Sequence, residues 1–441
     1  MKKVVFISII AMLLIFSVIY FIAFQPLLTI LNGYTAKRIC SSHFIAGRVL
    51  EDIENQDLVY PATWCSGEID MEQMSASSSV LGLATQSAIF RPGFGCTLSP
   101  KNNTLKPTPI LSRNKVNPYQ WSDNGFKQKN KSKINPQKLG ETISAAFGTI
   151  DRTRAVIVAH NGKIVGEQYA DGFNKETELL GWSMTKSITN NLIGILCKEG
   201  KLDVNKTNLL KEWSDQRSQI SLENLLHMSS GIEWNEEYGY LSDVTRMLYL
   251  NDNASDYAID KSVGSEINTS YTYSSGTTNI ISKIIKNTFN SEDEYLKFPH
   301  EALFQKLGIE ATMELDADNN YIMSSYTYMT ARDWAKLGQF WLQKGSWLGE
   351  QILPKDWMAY STSSGYGVNG IYGAHFWLNS DSFLYTDVPD DMFAARGFQG
   401  QQIIVIPSQD LVIVRFGVDS GIETFDYNIF ISSIIASIED T

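Results

Sequence analysis

The chain has 441 residues, 43% of them hydrophobic and 12% aromatic. That is enough apolar material for a large core, and it excludes a disordered or fibrous chain. A net charge of −11 with no basic stripe excludes a nucleic-acid partner.

Lys2 and Lys3 precede an uncharged apolar run from Val4 to Phe24. A run of that length can span a bilayer as a helix. No small-residue cleavage site follows, so it reads as an uncleaved anchor rather than a signal peptide. The two lysines then face the cytoplasm and the rest of the chain lies outside it, in the periplasm if the source is Gram-negative. The expected organisation is a transmembrane anchor over 1–26, an extension and linker arm over 27–137, and a main domain over 138–441. The four cysteines fit such a compartment. One pair among Cys40, Cys65 and Cys96 can form a disulfide, and spacing does not say which. Cys197 reads as a buried free thiol.

From Leu27 to Pro100 the chain is moderately apolar with no strong period. From Lys101 to Gln137 it turns to Asn, Lys, Ser and Pro, which suits a solvated arm. Arg154 to Ala159 is β-branched and apolar, and Asn161-Gly162 then leads into Lys163-Ile164-Val165, a hairpin signal. A helix follows Gly181, with Met184, Ile188, Leu192, Ile195 and Leu196 at helical spacing and Gly200 as its stop. Sequence from about Asp203 to Leu384 is largely helical and rich in loops. Within it, Thr330 to Lys344 is a capped helix that Gly345 ends. Strand character returns at Gln402 to Ile406 and Leu411 to Phe416, joined by a turn at Pro407-Ser408-Gln409-Asp410. An amphipathic helix from Phe425 to Ile438 closes the chain. Strands at both ends with helices between predict an α+β fold. In it, one antiparallel sheet from both chain ends is flanked by helices and carries an inserted, mostly helical lobe.

Three short stretches carry possible chemistry. Ser183 and Lys186 are three apart at the mouth of the helix, so they share a face. A lysine amine in a desolvated site can take the proton of a serine hydroxyl. Tyr271-Thr272-Tyr273-Ser274-Ser275-Gly276 puts a phenol and a hydroxyl on a turn. A lysine beside Tyr273 is expected to favour its phenolate and lower its pKa. Ala394-Ala395-Arg396-Gly397-Phe398-Gln399-Gly400-Gln401 runs into a strand, where an N–H can complete an oxyanion hole. Each stretch alone also reads as an ordinary helix cap or turn. His227 lacks an acid to orient it. Asp316-Ala317-Asp318-Asn319-Asn320 fails as a calcium loop, because Tyr321 stands where glycine is needed. Gly365 to Gly370 matches a dinucleotide fingerprint only by letter. No metal or cofactor is expected.

Taken together and in this order, the three motifs resemble the serine β-lactamase and penicillin-recognising superfamily. The stretches "LLGWSMTKSITN", "LENLLHMSSGIEW", "YSSGTTNI", "SSYTYMTARDWAKLG", "YGAHFWLN" and "GFQGQQIIVIPSQDLVIVRFG" are similar to its class C-type branch, above all to 6-aminohexanoate-dimer hydrolases and esterases. "GYTAKRICSSHFIAGR" and "FRPGFGCTL" resemble the N-terminal extension of that group. The resemblance implies a β-lactamase-like hydrolase domain over 138–441. Ser183 would be the nucleophile that forms an acyl-enzyme, Lys186 would activate it, and Tyr273 would move protons. The N–H groups of Ser183 and Phe398 would form the oxyanion hole, beside Gly397. Ser275 stands where the branch usually has Asn. Ala395-Arg396-Gly397 replaces Lys-Thr-Gly, so Arg396 would take over as the handle for a substrate carboxylate. Phe398 replaces a common His. The implied partner is a small or peptide-like ester or amide. The alternatives are a β-lactamase or D-Ala-D-Ala peptidase and, from another class, a non-catalytic binder or sensor.

Overall fold

Every residue of Ala155–His160, Gln401–Ile406 and Leu411–Phe416 is buried. Successive side chains of a strand face opposite sides, so such strands need an apolar layer on each face. A computed structural model supplies both layers. It describes residues 24–100, 104–111, 132–148, 152–239, 241–367, 370–419 and 425–439, with single positions at 6, 8, 9 and 12. The three strands lie in a six-stranded antiparallel sheet. Its order is Trp377–Leu378, Phe393–Gly397, Gln401–Ile406, Leu411–Phe416, Ala155–His160, Lys163–Tyr169. On one face Ile157, Ile403, Val405, Val412 and Val414 pack with Trp334, Leu337 and Trp341 of the helix Ala331–Leu342. On the other, Val156, Val158, Ile404 and Ile413 meet Leu139 and Ile143 of Pro136–Ala145 and Phe430, Ile431 and Ile434 of Tyr427–Ile435. The alternation along each strand sorts residues into these two layers. The α+β fold expected from the pattern is the one observed.

The Asn161-Gly162 turn has φ of 53° and 73°. Positive φ at both central residues is the hairpin geometry that this dipeptide favours. Thr330 caps its helix by accepting from the Asp333 amide. The inserted lobe contains the short helices Leu222–Leu226, Asp243–Tyr249 and Ala254–Ile259 and the longer Ser275–Lys286.

The expected membrane anchor is corrected. Among the described residues, no helix is long and apolar enough to cross a membrane. The run from Val4 to Phe24 lies almost wholly outside the described residues. The helix that follows, Gln25–Phe44, is a packing helix with Lys37 and Arg38 buried along it. The anchor over 1–26, the membrane partnership and the placement outside the cytoplasm are therefore withdrawn.

That helix lies on a four-stranded antiparallel sheet, Ser66–Asp70, Ser75–Val80, Leu83–Arg91 and Gly95–Leu98. A disulfide joins Cys40 of the helix to Cys96 of the last strand, while Cys65 and Cys197 are free. The extension is tied to the central sheet by a buried charge cluster. Asp57 lies 3.2 Å from Arg48, 3.9 Å from Arg38, and in contact with Arg154 just before the strand Ala155–His160. Burial opposes the Asp57 charge. Arg154, Arg38 and Arg48 outweigh it and hold the carboxyl below its ordinary range. Asp57→Ala strands three buried guanidinium groups, so it is expected to cost about 3–5 kcal/mol of unfolding free energy in urea titrations. Breaking the exposed Lys297–Asp293 pair should leave the urea midpoint unchanged, because solvent screens it.

Candidate active site

Gly181 has no room for a side chain. A Cβ there would sit 2.2 Å from the Trp334 ring, whose Nε1 donates to the Leu179 carbonyl. Trp182 follows with φ of +48°, a left-handed conformation that a bulky residue rarely adopts. Aromatic neighbours hold it there. Its ring centroid lies 5.2 Å from Tyr326, 5.5 Å from Phe398, 6.0 Å from Tyr238 and 6.2 Å from Tyr34 of the N-terminal helix. The turn Trp182–Met184 then delivers Ser183 to the start of the helix Thr185–Lys198.

One turn on, Lys186 is 1% exposed. Its Nζ lies 3.0 Å from Ser183 Oγ, 2.9 Å from Ser275 Oγ and 3.1 Å from the Ser324 carbonyl. Burial lowers its pKa to about 8, against the pull of Glu236. Roughly a tenth of the amine is then neutral at pH 7. Tyr273 presents its ring to the same amine, centroid 4.9 Å from Nζ. The expected depression of its pKa is not found. Burial, then the Glu236 charge, push the phenol well above its ordinary value, and its contact with Ser183 and the Arg396 charge only partly oppose that. Tyr273 is a held proton rather than a ready base.

The strand Phe393–Gly397 closes the other side. Gly397 lies so near the Ser183 turn that a Cβ on it would be 2.2 Å from the Gly181 carbonyl. The Phe398 ring stacks on Tyr238 at 4.5 Å. The Arg396 guanidinium lies over Trp377 at 5.0 Å, and Trp377 packs on Tyr273 at 5.4 Å. Ser183, Lys186, Tyr273, Ser275, Arg396, Gly397 and Phe398 thus lie around one point. His227 stands apart from them, its Nδ1 by the Glu223 carbonyl and its ring against Tyr360. A cavity of about 300 Å³ lies elsewhere, between the N-terminal helix and the lobe, near Pro26, Lys37, Asn251 and Asp316, and holds none of these groups.

Sequence reasoning missed two supports of the site. His375 has φ of +62° and lies inside the quoted stretch "YGAHFWLN". Its Nδ1 is 3.0 Å from the Lys186 carbonyl, which can only accept, so Nδ1 carries the proton. Nε2 then accepts from Thr278, 3.3 Å away, and joins the two helices that carry the site. Burial, then the Lys186 charge, push the ring down to about 3, so it stays neutral. Glu236 accepts from the amide and the hydroxyl of Ser275. Neither residue sits in a motif with recognisable spacing.

A model of the Beta-lactamase family matches residues 151–417. The chain belongs to the Beta-lactamase family. The protein is thus an enzyme, a serine hydrolase, and the binder alternative falls away. It is similar to the 6-aminohexanoate-dimer hydrolase of Paenarthrobacter ureafaciens, at 23% identity over 306 residues, covering 63% of this chain and 74% of the relative. A Bacillus anthracis structure assigned to the same hydrolases superposes with a TM-score of 0.55 and 21% identity, over 70% of this chain and 83% of that one. A family VIII carboxylesterase does so with a TM-score of 0.53 and 15% identity, over 68% and 97%. At these identities the two structures establish the fold.

Gly181→Ala tests the local geometry. Driving a methyl into the Trp334 ring should lower unfolding stability by about 1–3 kcal/mol, read from denaturant midpoints. An unchanged midpoint would mean that the Ser183 turn is not pinned as described.

Proposed function

We propose that this member of the Beta-lactamase family cleaves an ester or amide through an acyl-enzyme on Ser183. The observation that carries the reading is the buried Lys186 amine, 3.0 Å from Ser183 Oγ and lowered to a pKa of about 8. As a neutral amine it takes the Ser183 proton while Oγ bonds to the substrate carbonyl carbon. The carbonyl oxygen becomes an oxyanion, received by the backbone N–H groups of Ser183 and Phe398. When the tetrahedral centre collapses, the leaving group needs a proton. Tyr273, held protonated beside Ser183, supplies it, and the proton taken up by Lys186 restores the phenol. Water then attacks the acyl-enzyme, passes a proton back along the same path and releases the acid.

Arg396, stacked on Trp377 beside Tyr273, would receive a carboxylate on the substrate in place of the family's lysine. Planar recognition of a carboxylate suits a guanidinium. In this reading residues 138–441 carry the catalytic groups and residues 27–137 brace them. The preferred substrate is an ester or amide rather than a β-lactam, because the strand lacks the lysine that β-lactamases use.

Two measurements test the reading. Ser183→Ala should lower p-nitrophenyl ester hydrolysis by about a thousandfold or more, and retained activity would refute the nucleophile. For the parent enzyme, kcat/KM should rise with pH and level off, with a midpoint near 8. The sign follows from the base being the neutral amine, which is lost as pH falls below its pKa. A midpoint in the ordinary carboxylate range would assign the base to another group. Faster turnover of nitrocefin than of esters would shift the substrate class to β-lactams.

A further inference from the structure

The side chain of Glu236 has no part in the acyl transfer just described, yet it is fully engaged beneath it. It comes from the loop after the short helix Leu222–Leu226 and sits at the N-terminal end of the helix Ser275–Lys286. Its Oε2 receives Trp234 Nε1 and the Ser275 amide, the latter at 2.8 Å. Its Oε1 receives Ser275 Oγ. Ser275 Oγ is in turn 2.9 Å from Lys186 Nζ. We propose that Glu236 is a positioning residue that sets the direction of the Ser275–Lys186 hydrogen bond and so, together with the Ser324 carbonyl, aims the amine's lone pair at Ser183.

The donors available fix the polarity. A carboxylate can only accept. Ser275 therefore spends its single O–H on Glu236, and its oxygen is left to accept from Lys186. The Ser324 carbonyl, 3.1 Å from Nζ, can also only accept. A neutral lysine amine has two N–H bonds and one lone pair. Both N–H bonds are committed, to Ser275 and to Ser324. The remaining valence faces Ser183 Oγ, and it is the lone pair. The amine is thus oriented as a base before substrate arrives, which avoids reorganisation during the reaction. The other titratable groups near Lys186 do not set this polarity. Tyr273 faces the amine with its ring, His375 binds the Lys186 carbonyl, and Arg396 lies over Trp377.

Glutamine in place of Glu236 reverses the chain. Trp234 Nε1 and the Ser275 amide only donate, so the glutamine carbonyl must take the Oε2 position. Its NH2 then falls where Oε1 was and donates to Ser275 Oγ. The Ser275 O–H is released to donate to the Lys186 lone pair, which no longer faces Ser183. The removed negative charge also ceases to favour the ammonium.

This rests on the Ser183–Lys186 reading, so the experiment carries Ser183→Ala beside Glu236→Gln, Glu236→Asp, Ser275→Ala and the Glu236→Gln/Ser275→Ala double variant, each assayed on a p-nitrophenyl ester over pH 5–10. Glu236→Gln is expected to keep the parent's circular dichroism and KM, to lose about 10- to 100-fold in kcat, and to move the midpoint of the acid limb to lower pH. Glu236→Asp, which still only accepts, should regain most of that loss and leave the midpoint in place. Because the effect passes through Ser275, adding Glu236→Gln to Ser275→Ala should change kcat by less than about threefold. The proposal is overturned if Glu236→Gln keeps kcat within about threefold of the parent, if its acid limb does not move, or if its effect adds in full to that of Ser275→Ala. Should Glu236→Gln not fold, Ser275→Ala alone decides, and an unchanged kcat overturns the proposal. Ser183→Ala with parental activity would remove the hydrolase reading itself. An inert Ser183→Ala beside a fully active Glu236→Gln would remove only the role of Glu236.

Discussion

The structure around the site depends on keeping one amine dry. An ammonium buried without partners is very costly, so it either finds acceptors or gives up its proton. Lys186 does some of each. Its three partners are Ser183 from its own turn, Ser275 from the head of the next long helix, and the Ser324 carbonyl from the segment before the strand Thr327–Thr330. These come from three parts of the chain, so the lobe and the sheet layer must meet in register for the amine to be satisfied. His375 fastens the same two helices from beneath, between the Lys186 carbonyl and Thr278. The low pKa of the lysine and the close docking of the lobes are two consequences of one burial.

The N-terminal extension belongs to this arrangement and is not an appendage. Trp182 holds a strained backbone directly before Ser183, and strain of that kind costs about 1–3 kcal/mol unless neighbours over-determine it. Tyr34 is one of those neighbours and lies on the helix that the Cys40–Cys96 disulfide fastens to its small sheet. The Asp57 cluster anchors the same unit to Arg154, at the start of a central strand. Lys37 and Glu314 form a further buried pair between that helix and the lobe. Force on the extension therefore reaches the Ser183 turn through packed rings and paired charges.

How much of this was legible follows from periodicity and burial. The central strands and the helix after Thr330 were readable because each has a one-sided or fully buried pattern bounded by turn residues. The helix Gln25–Phe44 was not, because it is enclosed between the small sheet and the lobe. Asn32, Thr35, Lys37 and Arg38 are buried along with Ile30 and Ile39, which leaves no polar stripe to mark a period. The apolar run before it fits a membrane span by length and hydropathy alone, and those two properties do not say what a segment packs against. The meeting of Ser183, Lys186 and Tyr273 was legible because short spacings and motif order carry it. Glu236 and His375 were not, because each acts across 39 or more residues of chain, on Ser275 and on Lys186. The direction of the Tyr273 shift was misread for a related reason. Proximity to a lysine could be inferred from the motif, whereas the desolvation of the phenol and the Glu236 charge could not.

The change at the substrate strand is more than an exchange of one cation for another. A lysine in that position presents a mobile point charge. Arg396 presents a plane, and the Trp377 ring beneath it fixes how that plane is turned. Trp377 also packs on Tyr273, so the surface that orients the cation borders the proposed proton donor. An anion bound by such a plane is held in direction as well as in position. In the proposed mechanism that would favour acyl compounds whose carboxylate lies at a fixed distance from the scissile bond. Phe398, stacked on Tyr238 two residues from Arg396, bounds the same space with an apolar wall. A site walled by stacked rings, with one oriented cation at its edge, should discriminate by the length and shape of an apolar chain between the reacting carbonyl and the anion.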